Sequence, residues 1–556
     1  MENDVQRIER IVLVGFSGTG KTTTAKLVAE RLGWSRVDTD LAVEAASGID
    51  IPEIFRVHGE AAFRAAERTA LIQAATSTNV VIATGGGATI DSAVWSADLL
   101  GQPGTLVVTL DAQPTTILRR LTAQVETEGR FVERPMLAGD DPLGKIETLK
   151  AQRQAAYDAS PMTLVVDHAT PELIADEILA VASAHFSGGL PAIRLEATSA
   201  TSQLLVGSGL TMKLGELVRS AYPRLNRVWI VTDEAVGAIY GRACLESIAA
   251  AGCPASLMTV PVGEESKSWD RLKSVYDRLL EGGIERGDVV VAYGGGVVGD
   301  LAGFVAATVL RGVGLVQVPT SLLAMVDSSV GGKTGINHSA GKNLIGAFLQ
   351  PALVVIDPTA LGTLPERHLV AGWAEIVKHA VIQTSTPGGE RGDLAEFLLR
   401  NGHSLSNALE PTISYLVWRN VELKARVVAA DERERGIRAY LNFGHTLGHA
   451  IEAAGYTLLH GEAVALGMRA VTRIGCQLGL CDDADVVRTD ALLDQFGLPR
   501  RVSLDPELVM ARLGSDKKRS GGQQQWVLPL AGGGVTIRDD VSPQVVAAGL
   551  TAVLEG

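Results

Sequence analysis

The stretch Gly15-Phe16-Ser17-Gly18-Thr19-Gly20-Lys21-Thr22 decides the fold of the first third of the chain. It fits the pattern G-x-x-x-x-G-K-[ST] completely, and it lies between an apolar run at 11–14 and a helical pattern at 21–32. Glycines here allow backbone N–H groups to surround phosphate oxygens, while Lys21 can reach the β- and γ-phosphates and the Thr22 hydroxyl can ligate Mg²⁺. The motif therefore predicts a nucleotide site on a mainly parallel α/β sheet.

Composition limits the class of protein. The chain has 556 residues, 46% hydrophobic and 20% charged, which predicts a globular protein of two to four domains. Its net charge of −13 argues against a general nucleic-acid binder. Four cysteines form no CxxC pair, the start is polar, and no apolar run reaches 18 residues. We therefore expect a cytoplasmic protein without a membrane segment that acts on small molecules.

The pattern of strands and helices predicts three domains. Strand-like runs at 80–83 and 106–110 belong to the first, and a Ser/Gly/Pro cluster at 187–191 marks a linker. A second alternation of strands and helices follows, with strands at 228–231 and 289–293, and from about residue 361 the pattern is mainly helical. We place the domains at 1–185, 192–360 and 361–556.

Five further segments accompany the phosphate-binding motif. They are Asp38-x-Asp40, Gly59-Glu60-x-x-Phe63-Arg64, Thr84-Gly85-Gly86-Gly87, Arg134-Pro135 and Arg153-x-x-x-Tyr157. Singly, each is also typical of a turn or a solvated helix face. In this order they closely resemble shikimate kinase over nearly all of the first 170 residues.

This resemblance implies a P-loop kinase domain with a parallel sheet and helices on both faces. It implies that ATP and Mg²⁺ bind at Gly15, Gly18, Gly20, Lys21, Thr22 and Thr23, with the metal near Thr22 and Asp38. It implies that shikimate is held by Asp40, Arg64, Gly86, Gly87 and Arg153. Lys21 and Arg134 are the implied catalytic residues, and Arg134 would lie on a polar lid at 127–141.

A second glycine motif, Gly294-Gly295-Gly296-Val297-Val298-Gly299, follows the strand at 289–293 and matches G-x-G-x-x-G. The acidic residue expected about 20 positions later in a dinucleotide-binding fold is missing. Asp233, just after the strand at 228–231, is the alternative ribose ligand. The motif alone is therefore weak evidence for a nicotinamide site.

Three of the ten histidines fall close together: His445, His449 and His460. His445 and His449 lie one helical turn apart, so spacing alone favours both as zinc ligands, with His460 as a third candidate. The alternative is that they are ordinary core or surface histidines.

Motifs across residues 195–545 closely resemble 3-dehydroquinate synthase. They are Gly294 to Asp300, Arg311-Gly312, Pro319 to Ala324, Asp327 to Thr334, Gly341-Lys342-Asn343, Ala374 to Lys378, Asn442 to His445 and His460 to Ala463. The resemblance implies a Rossmann-like α/β domain followed by a mainly helical metal-binding domain. It implies that the zinc ligands are Glu375, His445 and His460. Spacing alone favoured His449 as a ligand, whereas the resemblance implies that His449 is an acid/base group.

The same resemblance implies the remaining roles. NAD would contact Asp233, Glu264, Lys267, Gly295, Gly296, Asp300, Thr320, Ser321 and Lys342. The substrate would contact Asp327, Asn343, Lys424 and Lys517, and the catalytic set would be Lys333, Lys378, Arg438, Asn442 and His449. Arg311 would reach a neighbouring subunit's site, since this family commonly forms dimers, so we expect a homodimer through this half.

The sequence thus predicts a bifunctional enzyme of the shikimate pathway. One half would phosphorylate shikimate with ATP, and the other would cyclise 3-deoxy-arabino-heptulosonate 7-phosphate to 3-dehydroquinate with NAD and zinc, or cobalt at the same ligands. One alternative is another sugar-phosphate cyclase or a zinc polyol dehydrogenase fused to a small-metabolite kinase. Lys333, Asn442 and Lys517, a phosphate-binding set, argue against a simple dehydrogenase. A second alternative makes one half an inactive scaffold.

Overall fold

The computed structural model describes residues 8–128, 140–187, 189–455, 457–519 and 524–555, with backbone only at 125–128, 185–187 and 514–519. The chain divides into two compact units. The first contains Met1–Gly188 and Glu396–Thr412, and the second contains Gly189–Ala395 and Ile413–Gly556. The first break of this division falls between residues 188 and 189, and the sequence analysis placed a linker at 187–191. Residues 396–412, which we placed in the third domain, instead pack with the first unit.

The described strands, in chain order, are β1 Arg10–Val14, β2 Ser35–Asp38, β3 Val80–Ala83, β4 Thr105–Asp111, β5 Met162–Val165, β6 Ile193–Glu196, β7 Thr201–Val206, β8 Val228–Asp233, β9 Ala255–Val260, β10 Val289–Gly294, β11 Gly314–Pro319, β12 Lys333–His338, β13 Gly341–Phe348, β14 Leu353–Ile356, β15 Val502–Ser503, β16 Trp526–Pro529, β17 Val535–Arg538 and β18 Leu554–Glu555.

The described α-helices are α1 Lys21–Leu32, α2 Thr39–Ser47, α3 Ile51–Ala75, α4 Pro114–Glu128, α5 Pro142–Asp158, α6 Pro171–Ser187, α7 Leu214–Ala221, α8 Glu234–Ala250, α9 Trp269–Glu281, α10 Gly296–Thr308, α11 Glu366–Ile382, α12 Leu394–Arg400, α13 Gly402–Ser406, α14 Thr412–Ala430, α15 His445–Ala454, α16 His460–Gln477, α17 Asp483–Gln495, α18 Pro506–Arg519 and α19 Pro543–Thr551.

The first unit is built on a parallel sheet, as predicted. Its described strands run in the order β2-β3-β1-β4-β5. β1 pairs with β3 and β4, and its five residues are all buried, which is why the sequence at 10–14 is almost continuously apolar. The carboxyl ends of β1, β2 and β3 meet at one edge, where ligands bind in open α/β sheets.

At its outer edge, β5 is bound by an asparagine from the later segment of the same unit. The Asn401 side-chain oxygen accepts from the Thr163 backbone N–H at 2.8 Å, and its Nδ2 donates to the Thr163 carbonyl at 2.9 Å. Arg400 also pairs with the buried Asp111 at the end of β4, at 3.1 Å. Residues 396–412 are therefore a structural part of the first unit.

The second unit contains a larger mixed sheet in the order β6-β7-β14-β11-β10-β8-β9. β10 shows why its sequence is apolar throughout. Val290 and Ala292 pack into one core, and Val289, Val291 and Tyr293 pack into another, because successive side chains leave opposite faces. Among the described strands of this sheet, β6 alone is antiparallel to its neighbour.

The chain order of this sheet reverses between β8 and β10. β8 continues outward to β9, whereas β10 continues in the other direction to β11. Asp233 and Gly294 end these two adjacent parallel strands, so both lie at the switch point, the usual ligand crevice of such sheets.

After β14 the described chain is mainly helical, as predicted, with two small strand pairs, β15-β18 and β16-β17. The antiparallel hairpin β12-β13 precedes this part and was not predicted. Across the described residues, no helix has both the length and the apolarity needed to cross a membrane.

Candidate active sites

The phosphate-binding loop of the first unit packs closely against the backbone of the sheet. Gly15 follows β1 with φ +131°, and a Cβ there would lie 2.2 Å from the Leu110 carbonyl oxygen. Only glycine fits this turn. The Lys21 ammonium donates to the carbonyls of Gly15 at 2.7 Å and Phe16 at 2.8 Å, so it is positioned above the loop.

Helix α1 begins directly after this loop. Its N-cap, Gly20, is left-handed and no side chain caps the helix, which leaves N–H groups of the first turn available to an anion. The Thr22 hydroxyl donates to Asp38 Oδ2 at 2.8 Å. These two oxygens are the hard ligands that Mg²⁺ prefers. Gly18 and Thr23 lie in the same loop and first turn.

A pocket of charged groups surrounds the glycine triplet after β3. A Cβ on Gly85 would lie 2.0 Å from Glu67 Oε1 and 2.5 Å from Asp40 Oδ1, and a Cβ on Gly87 would lie 2.4 Å from the Arg64 guanidinium. Arg153 donates to the Gly86 carbonyl at 3.1 Å. The structure thus gathers all five predicted shikimate ligands.

Glu67 is a residue of this pocket that the sequence analysis missed. It accepts from Arg64 Nη1 at 2.7 Å, and burial raises its pKa although Arg64 opposes the shift. The sequence could have indicated this contact, because Arg64 and Glu67 are three residues apart and therefore lie on one face of α3. Glu67 therefore orients the guanidinium that faces the pocket.

In the second unit, the glycine motif begins α10 at the switch point of the sheet. Gly295 is the N-cap without a side-chain hydrogen bond, and a Cβ on Gly296 would lie 3.0 Å from Ser328 Oγ. Thr320 N–H donates to the Gly294 carbonyl at 3.0 Å, and Ser321 Oγ lies 3.4 Å from where a Gly295 Cβ would be. An open helix end beside a close backbone approach suits a pyrophosphate.

Around this helix end, predicted cofactor ligands form one hydrogen-bonded group. Lys267 Nζ pairs with Asp300 at 2.7 Å and also donates to the Asn343 side chain. Asp233 caps α8 by accepting from Val236 N–H at 2.9 Å, and Glu264 accepts from Asn337 at 2.8 Å. Asn343, which we assigned to the substrate, therefore contacts the predicted cofactor group.

Four side chains converge as a candidate metal centre. Glu375 Oε1 lies 3.5 Å from His445 Nε2 and 3.6 Å from His460 Nε2. One nitrogen from each of His445, His449 and His460 lies within 4.8 Å of the others. Helix α11 contributes Glu375, α15 begins at His445, and α16 begins at His460. The geometry is compatible with both predicted sets of metal ligands. Helical spacing favoured His445 and His449 with His460, and the family resemblance implied Glu375 with His445 and His460.

The electrostatics of this centre favour a cation. Glu375 is fully buried, and its Oε1 has no hydrogen-bond partner among the described residues. Burial lowers the pKa of His445 to about 3, so this imidazole is neutral and has a lone pair to share. Burial acts the same way on His460, but contacts with Glu375 and Glu452 raise its pKa to about 10.

A cluster of two buried lysines, Lys378 and Lys424, and the half-buried Asp327 adjoins the metal centre. Lys378 pairs with Glu375 and lies 3.6 Å from Asp327, while Lys424 donates to Asp327 Oδ1 at 2.8 Å. Burial, only partly offset by Asp327, lowers the pKa of Lys424 to about 8. Lys378 thus joins the metal centre to the predicted substrate residues.

Lys333, Asn442 and Arg438 lie around a further acid that we missed, Glu434. Lys333 pairs with Glu434, and Asn442 Nδ2 donates to it at 2.8 Å. Glu434 has φ +57°, a strained conformation of the kind found at functional sites. Arg438 is buried and donates to the carbonyls of Glu432 and Gly331. The sequence signal was present, because Glu434 lies within a charged run next to Arg438.

Four predicted residues lie outside the groups described so far. Arg134 lies outside the described residues, as does the side chain of Lys517. Arg311 is exposed with φ +69°, next to Leu310 with φ +49°. Lys342 contacts Glu452 at 2.5 Å.

Comparison with known proteins follows the same division of the chain. Residues 17–183 match the shikimate kinase family model, 257–371 match 3-dehydroquinate synthase N-terminal, and 372–519 match 3-dehydroquinate synthase C-terminal. The 3-dehydroquinate synthase of Symbiobacterium thermophilum is 46% identical over 357 residues, which are 63% of this chain and 97% of that protein. That of Caulobacter vibrioides is 44% identical over 62% of this chain and 94% of the relative.

Among solved structures, a 2-epi-5-epi-valiolone synthase of Streptomyces hygroscopicus with NAD⁺ and Zn²⁺ bound is similar to this chain. It is 27% identical with a TM-score of 0.58, over 63% of this chain and 96% of that one. Taken with the two site geometries, these matches show that the chain belongs to the 3-dehydroquinate synthase family and carries a shikimate kinase domain before it.

Proposed function

We propose that the second unit converts 3-deoxy-arabino-heptulosonate 7-phosphate to 3-dehydroquinate and phosphate, and that the first unit transfers the γ-phosphate of ATP to the 3-hydroxyl of shikimate. One observation carries the synthase assignment. Lys378 bridges Glu375 of the metal centre and Asp327 of the buried lysine cluster, so the residues that would hold the metal and those that would hold an anionic substrate belong to one site.

The residues present fit NAD and a zinc or cobalt ion. Glu375 Oε1, to which no described residue donates a hydrogen bond, and the nearby Nε2 atoms of His445 and His460 form the donor set that these metals prefer. Gly295 and Gly296 leave room that a side chain would fill. When bound, these groups supply reversible hydride transfer and polarisation of the substrate's hydroxyl oxygens.

We assign the following roles to the side chains of the synthase site. Glu375, His445 and His460 hold the metal, and His449, beside them, exchanges protons with the substrate hydroxyl. Lys378 and Lys424 bind anionic oxygens. Lys333 and Asn442, both in contact with Glu434, are assigned to the phosphate that is eliminated, where an ammonium would stabilise the charge that develops on the leaving group.

In the kinase unit, catalysis is positioning with charge neutralisation. The loop N–H groups and Lys21 would hold the β- and γ-phosphates, and Thr22 with Asp38 would hold Mg²⁺, which would neutralise part of the phosphate charge. Arg64 and Arg153 bind the shikimate carboxylate, as paired guanidinium groups do, and Asp40 accepts from a ring hydroxyl. Glu67 holds Arg64 in place for this contact.

The test is one preparation of the full chain assayed for both reactions. With heptulosonate phosphate and NAD⁺ we expect phosphate release and dehydroquinate formation, lost on chelation and restored by Zn²⁺ or Co²⁺. With ATP and shikimate we expect ADP and shikimate 3-phosphate. Folded, metal-replete protein that releases no phosphate would contradict the synthase assignment, and one that turns over a polyol with NAD⁺ instead would support the dehydrogenase alternative.

We also propose that the enzyme is a cytoplasmic homodimer through its synthase half. The family resemblance supports the dimer, as does Arg311, which is exposed and has the strained φ of +69°. The four cysteines are all free, as expected in a reducing compartment. Light scattering on the purified chain tests the dimer, and a monomer at assay concentration would contradict it.

A further inference from the structure

Glu452 lies between a metal-binding histidine and a lysine of the β12-β13 hairpin. Its Oε2 is 3.1 Å from His460 Nδ1, and its Oε1 accepts from Lys342 Nζ at 2.5 Å. The Glu452 side chain is 13% exposed. Glu452 is three residues after His449 and seven after His445, so α15 presents all three on one face.

These contacts determine the tautomer of His460. An ionised carboxylate can only accept hydrogen bonds, so His460 Nδ1 must be the donor. The other nitrogen, Nε2, points to Glu375 Oε1 at 3.6 Å and keeps its lone pair for a metal once it loses any second proton. A carboxylate behind a ligating imidazole fixes ring orientation and strengthens the ligand.

Lys342 connects the Glu452–His460 pair to the residues predicted to bind NAD. The next residue, Asn343, accepts from Lys267, and Lys267 pairs with Asp300 on α10, the helix that starts at the glycine motif. Two adjacent residues beside the hairpin turn therefore make both contacts: Asn343 reaches the glycine-motif helix through Lys267, and Lys342 contacts Glu452. Because it occupies the second oxygen of Glu452, it restricts rotation of that carboxylate.

We propose that Glu452 is a positioning residue that holds His460 in its metal-binding tautomer, and that Lys342 acts through Glu452 by restraining its carboxylate. This inference rests on the metal centre assigned under the proposed function. It predicts that the affinity for the metal depends on a residue of the cofactor-side hairpin that does not touch the metal.

The test measures the Zn²⁺ dissociation constant of the full chain by competition with a chromogenic chelator, without substrates or NAD⁺. We expect Glu452→Ala to weaken Zn²⁺ binding by ~10–100-fold. Glu452→Gln keeps a side-chain oxygen that can accept from Nδ1, so its loss is smaller. Lys342→Met weakens binding less than Glu452→Ala, and adding it to Glu452→Ala has no further effect, because its contribution passes through that carboxylate.

Glu422→Gln is the matched control, because it likewise removes one carboxylate, one that pairs with Arg426 on α14 and is not among the residues assigned to the metal centre. Its Zn²⁺ affinity equals that of the unchanged chain. Co²⁺ absorption provides a second readout, since a reoriented His460 shifts the ligand-field bands of the Glu452 variants and not of the control.

A folded Glu452→Ala chain that binds Zn²⁺ within twofold of the unchanged chain would overturn the inference. If the losses of Zn²⁺ affinity from Lys342→Met and Glu452→Ala add in the double variant, the proposal that Lys342 acts through Glu452 is overturned. If Glu452→Ala does not fold, Glu452→Gln and Lys342→Met decide the question alone, and unchanged affinity in both overturns it. An unchanged chain that binds no Zn²⁺ would instead contradict the proposed metal centre itself.

Discussion

The phosphate loop of the kinase site and the lysine cluster of the synthase site handle anions by different means. The phosphate loop relies mainly on backbone: only glycine fits at position 15, beneath the Leu110 carbonyl, and the helix end at Gly20 has no side-chain cap. The lysine cluster relies on side-chain charges, with the buried Lys378, Lys424 and Glu375 packed around the half-buried Asp327. Backbone dipoles cost little to bury because the fold already orients them, whereas each buried charge depends on its partner. Variants should therefore affect mainly activity in the first unit and also stability in the second.

The largest expected effect is loss of kinase activity on removal of the one cation in the phosphate loop. Lys21→Met should lower shikimate phosphorylation by at least ~10²–10³-fold, because a preorganised charge at the transferring phosphate is lost. Synthase turnover in the same preparation should not change. Lys26→Met, on the exposed face of α1, is the control. Equal loss of both activities would contradict independent sites.

Next comes the buried lysine of the synthase unit. Lys378→Met leaves Glu375 buried without its partner, which should destabilise the metal-free second unit by about 3–5 kcal/mol. Zn²⁺ should reduce that loss, since the ion supplies the missing positive charge. Calorimetry with and without Zn²⁺ measures both, and Lys273→Met, at an exposed pair with Asp277, is the control. A loss that Zn²⁺ leaves unchanged would mean that Lys378 and the metal do not share Glu375.

The third prediction uses the lowered pKa of Lys424, about 8. Its charged neighbours are Asp327, which favours the ammonium, and Lys378 and Arg438, which disfavour it. Below pH 8 the ammonium binds the anionic substrate, and above it the neutral amine does not. The synthase kcat/KM should therefore fall about tenfold per pH unit above pH 8. Lys424→Met should show a low, flat profile there, and persistence of the alkaline limb would assign it to another group.

The smallest effect concerns the close backbone approach at Gly87. A Cβ there meets the Arg64 guanidinium at 2.4 Å, and this flexible group can move aside. We expect Gly87→Ala to raise the KM for shikimate about fivefold, or ~1 kcal/mol of binding free energy, without changing the KM for ATP. The ATP value in the same variant is the control. An unchanged shikimate KM would show that Arg64 does not need its present position.

The sequence predicted the phosphate loop more completely than the synthase cluster. The phosphate loop is contiguous, and α1 occupies the predicted 21–32, because the motif and its strand and helix are local. The synthase cluster joins residues more than 100 positions apart, from Lys333 to Glu434 and from Lys342 to Glu452. Spacing could find the histidine pair of α15, but only a family resemblance connected Glu375 to it.

Other elements were missed for physical reasons. The β12-β13 hairpin contains Gly335, Gly341 and Gly346, and much of β13 is exposed, so neither strand shows clear alternation. Glu67, Glu434 and Glu452 were missed because a carboxylate that orients another side chain has no motif of its own. The segment 396–412 could not be placed because packing with the first unit depends on contacts that are distant in sequence.

The asparagine that covers β5 has a consequence for synthesis of the chain. Asn401 is made 238 residues after Thr163, which it covers. At the usual ~5–20 residues per second, the outer edge of β5 stays open on the ribosome for roughly 10–50 s. An open edge strand is a template for pairing with other chains. In a cell, the newly made kinase domain therefore passes through a period in which it needs protection from its neighbours, and that period ends only when Asn401 emerges.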